Sequence, residues 1–382
     1  MSRLEELIQQ LCPDGVEYKA IKEEYQRLKG TPITAAKMKE IARSDGEVRV
    51  FAGGKTVIDA HEKDIPNANI IYVPAVLVQS RGVIDAIYYE KPFTFKNEMW
   101  AYTHPEKTSV KFLYYVLKSN MGKFRDAASG MGSLPQISLS VTEDFRIPLP
   151  PLPVQQEIVR ILDTFTELTA ELNEKLTAEL AARKKQYEYY RDELLHKSSF
   201  RDVRVCKLGE VANIHTGSKP AEILEDYSEF EYINAGTSNS GYVKTPNSPG
   251  DTVTTPSRGQ GGIGFVGYQS RPFHLGPLCY SIRSNDENIV TNKFIYYWLS
   301  SHAGDILAFK KEGGTPALNR GDLMGLRLCV PHISVQHRIV SILDRFDALC
   351  NDLTSGLPAE MEARRKQYEY YRDKLLSFKV KA

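Results

Sequence analysis

A long internal repeat limits the possible architectures of this chain more than any other feature of the sequence. Residues 154–195 align with residues 335–376 at a constant offset of 181 without a gap, and 25 of the 42 pairs are identical. Unrelated segments of this length share roughly two or three identities at ordinary residue frequencies. The 382-residue chain is therefore predicted to consist of two related halves.

Weaker echoes extend the repeat upstream. Residues 111–115 recur as 293–297 at an offset of 182, and Ser80-Arg81-Gly82 recurs as Ser257-Arg258-Gly259 at an offset of 177. Because the offsets drift, the loops between these landmarks must differ in length. Each half is thus predicted to be a diverged unit of about 150 residues followed by a well-matched segment of about 45 residues.

The matched segments have the apolar spacing of long amphipathic helices. In the first copy, apolar residues recur every three, four or seven positions from Ile158 to Leu194, a heptad-like seam. Some 40 residues at about 1.5 Å each give a rod of about 60 Å. The second copy keeps the seam but contains Gly356-Leu357-Pro358, where we expect a kink or a break.

The diverged units mix short β-rich stretches with turns and one aromatic helix each, at residues 110–119 and 292–301. The predicted fold class is α+β, with two α/β recognition units separated by two long helices. The helices should form an antiparallel coiled coil with a pseudo-two-fold internal repeat. The predicted segments are residues 1–147, 148–200, 201–328 and 329–382.

Composition and failed motifs argue against an enzyme. The five cysteines include no CxxC pair, which disfavours disulfides and a zinc site, and predicts a reducing, cytoplasmic location. Gly259-Gln260-Gly261-Gly262-Ile263-Gly264 matches GxGxxG, but a strand-like stretch follows instead of the required helix. Gly54-Lys55-Thr56 lacks the earlier glycine of a phosphate loop, and the histidines show no metal-ligand spacing. We predict no catalytic residues, no metal site and no membrane span.

Two diverged units on a repeated helical scaffold suit a long quasi-symmetric partner, and double-stranded DNA is the obvious one. Arginine can bind guanine O6 and N7 bidentately, and an adjacent glycine lets a loop approach closely. The alternative for each Ser-Arg-Gly segment is an arginine that only structures a turn. The candidate DNA contacts are Ser80, Arg81, Gly82, Lys37, Lys39, Arg49 and Lys55 in the first unit, and Ser257, Arg258, Gly259, Gln260, Lys219, Asn234, Tyr242 and Lys244 in the second.

A duplicated aromatic and basic patch lies near the end of each predicted helix. Its members are partly off the seam, so a protein-docking surface and a solvated helix face are both open interpretations. The candidate docking residues are Arg183, Lys184, Tyr189 and Arg191 in the first copy, and Arg364, Arg365, Tyr370 and Arg372 in the second.

The proline-rich helix entry, the stretch 155–165 and the stretch 183–195 together resemble the central region of type I restriction-modification specificity (S) subunits, and the second copy resembles their distal conserved region. This resemblance implies target recognition domains that each read half of a bipartite, asymmetric DNA target, and helices that set the spacing. It implies two methylation (M) subunits and motor-nuclease (R) subunits as partners. It also implies that S-adenosylmethionine, Mg²⁺ and ATP are used only by those partners. The alternatives are a standalone DNA-binding protein with a coiled-coil spacer and a self-contained methyltransferase or nuclease.

Overall fold

The computed structural model describes residues 2–54, 56–129, 134–196, 203–226, 229–259, 261–311, 316–351 and 356–381. The chain forms two compact units. Unit 1 comprises Met1–Glu174 together with Glu362–Ala382, and unit 2 comprises Lys175–Met361. The end of the chain therefore belongs to the same unit as its beginning.

The elements of unit 1 before the spacer begin with an N-capped helix, whose Ser2 hydroxyl accepts a hydrogen bond from the Glu5 N–H. A 3-10 turn spans Glu62–Asp64. In chain order the helices and strands are α1 (Arg3–Leu11), β1 (Glu17–Ala20), α2 (Ile21–Glu24), β2 (Gln26–Leu28), α3 (Ala35–Ile41), β3 (Val48–Phe51), β4 (Val57–Ala60), β5 (Ala75–Gln79), β6 (Asp85–Tyr89), β7 (Phe93–Phe95), β8 (Trp100–Thr103), α4 (Lys107–Ser119), α5 (Met121–Asp126), α6 (Leu139–Glu143) and β9 (Arg146–Leu149).

These strands form three sheets. The largest has the antiparallel order β2-β8-β5-β6, the second has the order β4-β3-β7 with β3 parallel to β7, and β1 pairs with β9. Every residue of β5 is buried, which agrees with its continuous apolar run Ala-Val-Leu-Val. Helix α4 packs against β5 and β6 with an apolar face that includes Val110 and Leu113, both fully buried.

The first spacer helix, α7, runs from Leu152 to Leu195, and its 44 residues span about 66 Å. Prolines at 148, 150, 151 and 153 lie at or before its first turn, where a missing N–H costs no helical hydrogen bond. The boundary between the two units falls inside α7, after Glu174. The long helix predicted for the first copy is confirmed.

Unit 2 contains the second diverged segment and the first part of the second spacer. The short β-rich stretches and the aromatic helix predicted for this segment are confirmed. The elements are β10 (Val203–Lys207), α8 (Leu208–Val211), β11 (Ala212–Thr216), β12 (Phe230–Ile233), β13 (Tyr242–Val243), β14 (Thr252–Pro256), β15 (Gly267–Gln269), β16 (His274–Leu275), β17 (Cys279–Ser284), α9 (Asn292–Ser301), α10 (Ala303–Ala308), α11 (Arg320–Met324), β18 (Arg327–Pro331), α12 (Ile333–Asn351) and, continuing into unit 1, α13 (Leu357–Leu375).

The sheet orders of unit 1 recur in unit 2. The larger sheet is β11-β17-β14-β15, the three-stranded sheet is β13-β12-β16 with β12 parallel to β16, and β10 pairs with β18. Unit 1 adds α1 and α3 to this plan. The diverged segments are thus two copies of one α/β fold, and the predicted fold class and internal repeat are confirmed.

The second spacer is interrupted where Gly356-Leu357-Pro358 predicted a break. Helix α12 is described as far as Asn351, residues 352–355 lie outside the described residues, Gly356 forms a bend, and α13 begins at Leu357. The proline at position 358 lies in the first turn of α13, where a missing N–H costs no helical hydrogen bond. This prediction is confirmed.

The seam of α7 is buried only in part. Val154, Ile158 and Leu162 are fully buried and belong to the core of the unit 1 recognition domain. Farther along, Phe165 is 36% exposed and Leu168 is 57% exposed. The first turns of the seam therefore pack into the core of the diverged segment of unit 1, and the seam is more exposed farther along α7.

Each unit nevertheless contains a contact between the two spacers. In unit 1 the Phe165 and Tyr371 rings lie 6.4 Å apart, and Thr166 Oγ1 lies 3.0 Å from the Tyr368 hydroxyl, so α7 and α13 run antiparallel here. In unit 2 the Tyr190 and Phe346 rings lie 6.0 Å apart. Phe346 and Tyr371 are the repeat equivalents of Phe165 and Tyr190. The same aromatic pair therefore forms once in each unit.

Candidate nucleic-acid interface

The first Ser-Arg-Gly segment forms a turn directly after β5. Ser80 is 1% exposed, and its hydroxyl donates to the Glu98 carbonyl oxygen. The Ile137 N–H donates to the Ser80 carbonyl at 2.9 Å, and the Gly82 N–H donates to the Pro135 carbonyl at 2.9 Å. Gly82 has φ +75°, a conformation that favours glycine. The serine therefore anchors the turn from inside.

The second Ser-Arg-Gly segment repeats this construction after β14. Ser257 is 5% exposed, and its carbonyl accepts a hydrogen bond from the Leu318 N–H at 2.9 Å. The Gly259 N–H donates to the Pro316 carbonyl at 3.2 Å, and Gly259 has φ +118°. The sequence echo at offset 177 thus marks structurally equivalent turns.

In unit 1, a third segment completes a small antiparallel ladder beside the turn. Ser129 and Gln136 exchange two backbone hydrogen bonds, of 3.0 and 3.2 Å, and Gln136 in turn lies directly opposite Arg81. Directly opposed residues place their side chains on one face of a sheet, about 5 Å apart. Arg81, Gln136 and Ser129 consequently form a row of neighbouring side chains, which we call the first row.

In unit 2, the same ladder carries other side chains. Lys311 and Ala317 exchange backbone hydrogen bonds of 2.9 and 3.3 Å, and Ala317 lies directly opposite Arg258. Arg258, Ala317 and Lys311 form the second row. Sequence reasoning missed this third segment in both units, although Pro135 and Pro316 align at offset 181 and were an available signal.

Both arginines of the rows are free to bind a ligand. The three side chains of the first row are exposed, as are Arg258 and Lys311 in the second row, and Ala317 is half-buried. Within the described part of the chain, neither Arg81 nor Arg258 has an ion-pair or side-chain hydrogen-bond partner. A free guanidinium on a rigid turn is suited to bind an acceptor-rich surface.

A further loop lies beside the Ser-Arg-Gly turn of unit 1. It follows β3, and the Gly53 N–H donates to Glu98 Oε1 at 3.4 Å while Gln79 Nε2 donates to the Gly54 carbonyl. Glu98 also accepts the Ser80 hydroxyl through its carbonyl oxygen. The Glu98 backbone and side chain thereby join the two loops. Lys55, a candidate contact in this loop, lies outside the described residues.

In unit 2, the loop after β12 occupies the corresponding place. Asn234 Oδ1 accepts a hydrogen bond from the Leu278 N–H at 3.0 Å, so this amide closes the loop. A Cβ on Gly262 would lie 2.4 Å from the Ala235 carbonyl oxygen, which requires glycine there. The next element after Gly264 is strand β15, so the helix that a dinucleotide fingerprint requires is absent from this part of the described chain. Gln260 lies outside the described residues.

The candidate phosphate contacts differ in their pairing. Lys37 Nζ lies 2.7 Å from Glu40, and Lys244 Nζ lies 3.1 Å from Glu222. Arg49 binds Asp59 bidentately at 2.8 and 3.1 Å, and this hydrogen bonding lowers the pKa of the Asp59 carboxyl.

By contrast, Lys39 and Lys219 are exposed and have no ion-pair partner among the described residues. Tyr242 lies in β13, opposite Glu231. At these two lysines no carboxylate of the described residues competes with a phosphate for the ammonium group.

The candidate docking residues fall into two groups. Tyr189 in unit 2 and Tyr370 in unit 1 are each 62% exposed. Arg191 and Arg372 are largely covered, and their guanidinium groups lie 5.8 and 5.9 Å from the ring centres of Tyr187 and Tyr368. These arginines therefore support the helix surface, and the tyrosines face outward.

The other docking candidates lie mostly in local pairs. Arg183 binds Glu179 at 2.7 Å, Arg365 binds Glu362 at 2.7 Å, and Arg364 donates to the Gln367 side chain at 3.1 Å. Lys184 is exposed. Such exposed pairs within one helix contribute little to stability, because water screens the two charges.

A lysine–aspartate–tyrosine cluster fixes each recognition domain to its spacer helix. In unit 1, Asp163 of α7 accepts hydrogen bonds from Lys111 at 2.7 Å and from the Tyr115 hydroxyl at 2.6 Å, both on α4. Burial, followed by this hydrogen bond, raises the pKa of Tyr115, so the phenol stays a donor.

In unit 2, Asp344 of α12 lies 3.3 Å from Lys293 and accepts a hydrogen bond from the Tyr297 hydroxyl. The pKa of Tyr297 is also raised, chiefly by burial. The same three residue types therefore occupy equivalent positions in both units. We call each of these two lysine–aspartate–tyrosine clusters a spacer clamp.

Neither a metal site nor a membrane span is found in the part of the chain that the structure describes. No group of three or more His, Cys, Asp or Glu side chains there could hold a metal ion. None of the helices there is long and apolar enough to cross a bilayer.

Comparison with known proteins decides the family. The model of the "Type I restriction modification DNA specificity domain" matches twice, at residues 24–182 and 201–363. The chain belongs to the type I restriction-modification specificity subunits. The resemblance inferred from the spacer segments is confirmed. The family comprises the non-catalytic DNA-recognition subunits, so the chain is a specificity subunit with two target recognition domains.

Individual relatives agree with this assignment. A type I restriction enzyme specificity subunit of Escherichia coli is 38% identical over 308 residues, covering 71% of this chain and 72% of that protein. The S subunit structure from M. genitalium superposes with a TM-score of 0.52 at 21% identity, covering 95% and 96% of the two chains. A chain from a structural study of complex assembly in the type I system superposes with a TM-score of 0.64 at 15% identity, covering 96% of this chain and 98% of that chain. At these identities the two structures show the fold of a specificity subunit.

Proposed function

We propose that this specificity subunit reads a bipartite, asymmetric DNA sequence, with one half-site for each recognition domain. The observation that carries the proposal is the duplicated ladder. Each domain holds one unpaired arginine on the same rigid turn, next to different neighbouring side chains. An arginine in this setting is suited to guanine O6 and N7 in the major groove. The two ladders have the same backbone hydrogen bonds but carry different side chains, which fits two half-sites of unlike sequence.

The spacer helices set the distance between the half-sites. Helix α7 has 44 residues, about 66 Å of helix, which corresponds to roughly 19 base pairs at 3.4 Å each. The spacer clamps hold each recognition domain to its helix through charge-assisted hydrogen bonds. The continuous helix α7 acts as a ruler for the half-site spacing.

Two methylation subunits dock on the spacer surfaces, and motor-nuclease subunits join them in the full complex. Tyr189 and Tyr370 are the anchors that support this assignment, because each is a large aromatic side chain with most of its surface exposed. Their equivalence in the repeat fits two copies of one partner. The chemistry then belongs to the partners, which bind S-adenosylmethionine, Mg²⁺ and ATP, in the cytoplasm where the DNA lies.

The balanced charge of the chain fits such a division of labour. Its formal net charge is +1, and several of its candidate phosphate contacts are paired with carboxylates. Phosphate neutralisation supplies most of the sequence-independent affinity for DNA. The isolated subunit therefore binds DNA weakly, and the partner subunits supply much of the contact with the backbone.

A domain exchange tests this function. Residues 1–145 are replaced by the corresponding segment of another specificity subunit with a known target, and the methylated motif is mapped in cells that contain the methylation subunit. We expect one half of the motif to change and the other half to stay. A change in both halves would refute independent recognition. Strong DNA binding by the isolated chain without a stable methylation-subunit complex would favour a standalone DNA-binding protein.

A further inference from the structure

The two rows differ only in their side chains. In both units the ladder has the same backbone hydrogen bonds, and the arginine occupies the same position. The central residue is Gln136 in the first row and Ala317 in the second. The third residue also differs, Ser129 against Lys311, so the central and third positions are where the two rows offer different chemistry to a ligand.

Gln136 has an unused amide on a rigid backbone. Its side chain is exposed, and no hydrogen bond to it is found among the described residues. The next residue, Ile137, is 1% exposed and is tied to the Ser80 carbonyl at 2.9 Å. The preceding Pro135 has a restricted φ and accepts the Gly82 N–H. The Gln136 backbone is thus held on both sides, which lowers the entropic cost of binding.

The side chains of Gln136 and Arg81 start close enough together to contact neighbouring base pairs. The two residues form a pair without direct hydrogen bonds between them, since the bonds run from Gly82 to Pro135 and from Ile137 to Ser80. In such pairs the Cβ atoms lie about 4.5–5.5 Å apart. Stacked base pairs are about 3.4 Å apart. Two side chains that extend from this pair can therefore reach two adjacent base edges.

The chemistry of the amide selects the base. A glutamine amide carries both a donor and an acceptor, and adenine presents N6–H₂ and N7 in the major groove, which glutamine binds bidentately. We propose that Gln136 is a specificity-determining residue of the first recognition domain and reads an adenine next to the guanine bound by Arg81. This inference rests on the proposed function, because it assumes that the first row faces the major groove.

The second row lacks this capacity. Ala317 has no polar side-chain atom, and Lys311 Nζ lies 4.0 Å from Asp322. The second domain consequently has no adenine contact at the equivalent position. Discrimination against other bases at that position should be weaker in the second half-site than in the first.

The test uses the full-length chain with its methylation subunit and a set of DNA targets that carry every single-base change in both half-sites. For Gln136→Ala we expect discrimination to fall about tenfold or more at one position, which lies in the first half-site, holds adenine in the preferred target and adjoins the base affected by Arg81→Ala. For Gln136→Glu we expect the preference at this position to move from adenine toward cytosine, because a carboxylate accepts a hydrogen bond from cytosine N4.

Gln26→Ala is the matched control. Gln26 is an exposed glutamine on β2 of the same recognition domain, and its substitution should leave the motif unchanged. All three variants should have the thermal midpoint of the wild type, since each changes an exposed side chain. If both Gln136 variants keep the wild-type discrimination, or if the affected position does not hold adenine, the inference is wrong. If the wild-type chain directs no bipartite motif at all, the proposed function itself fails.

Discussion

The two recognition domains share their sheet orders, the anchored serine, the positive-φ glycine and the spacer clamp, and they differ in the side chains that the ladder presents. Unit 1 displays Arg81, Gln136 and Ser129, and unit 2 displays Arg258, Ala317 and Lys311. Apart from the exposed arginine that both ladders carry, the repeated parts are buried or hydrogen-bonded within the domain. The differing parts are mostly exposed. A duplicated fold can thus acquire a second specificity when only the residues that no internal contact requires are changed.

The spacers offer a second comparison. Helix α7 is continuous for 44 residues, whereas α12 and α13 are separate helices. Of the two spacers, only α7 is one uninterrupted helix, so only α7 fixes both the distance and the rotation between its two ends. The proposed ruler role therefore falls to the first copy of the repeat, although the two copies are so similar in sequence.

The largest effect is expected when this ruler is shortened. Deletion of residues 177–180 removes about 6 Å of α7 and rotates the following part by about 40°. The original target should lose methylation, and targets with a spacer about two base pairs shorter should gain it. A variant with alanine at each of the four positions keeps the length and should keep the original spacing. If the deletion variant methylates targets with the same distance between half-sites as the wild type does, the ruler hypothesis is wrong.

The equivalence of the two turns can be tested with paired arginine substitutions. Arg81→Ala and Arg258→Ala should each relax specificity at a single base, in different half-sites, at a cost of about 1–3 kcal/mol. The measurement is the relative methylation rate on targets with single-base changes. If either variant weakens binding equally on all sequences, that arginine is a phosphate contact.

The smallest effect is expected at the spacer clamps. Asp163→Ala and Asp344→Ala each remove an acceptor shared by a lysine and a tyrosine, and should destabilise their own unit by about 1–2 kcal/mol because both sites are partly exposed. Hydrogen exchange of the full chain can assign each loss to a unit. Glu179→Ala removes only a surface pair of α7 and should change stability by less than about 0.5 kcal/mol. Equal behaviour of all three variants would show that the clamps do not hold the domains.

Local patterns predicted much of the fold. The heptad spacing identified α7, the glycine and proline at 356–358 identified the interruption between α12 and α13, and the aromatic stretch at 292–301 identified α9. In each case the signal lies within a few residues of the element that it determines. The Ser-Arg-Gly echoes also pointed to equivalent turns, because glycine marks a backbone conformation that other residues rarely adopt.

The candidate site was predicted less completely. Ser80 and Ser257 were predicted as DNA contacts beside their arginines, yet their side chains are buried in the turn. The bidentate pairing of Arg49 with Asp59 crosses two strands and could not be read from spacing. Gln136 escaped notice because an isolated glutamine carries no local signal.

The sequence by itself determined that this protein has two related halves, where its long helices lie and where the second of them breaks, because periodicity, proline and glycine act over short distances along the chain. The tertiary structure alone decided which part of the α7 seam is buried, and it brought Gln136 beside Arg81 across some fifty residues of chain. Those outcomes depend on which strands pair and which surfaces pack. Pairing and packing join residues that are distant in sequence, and no local pattern specifies them.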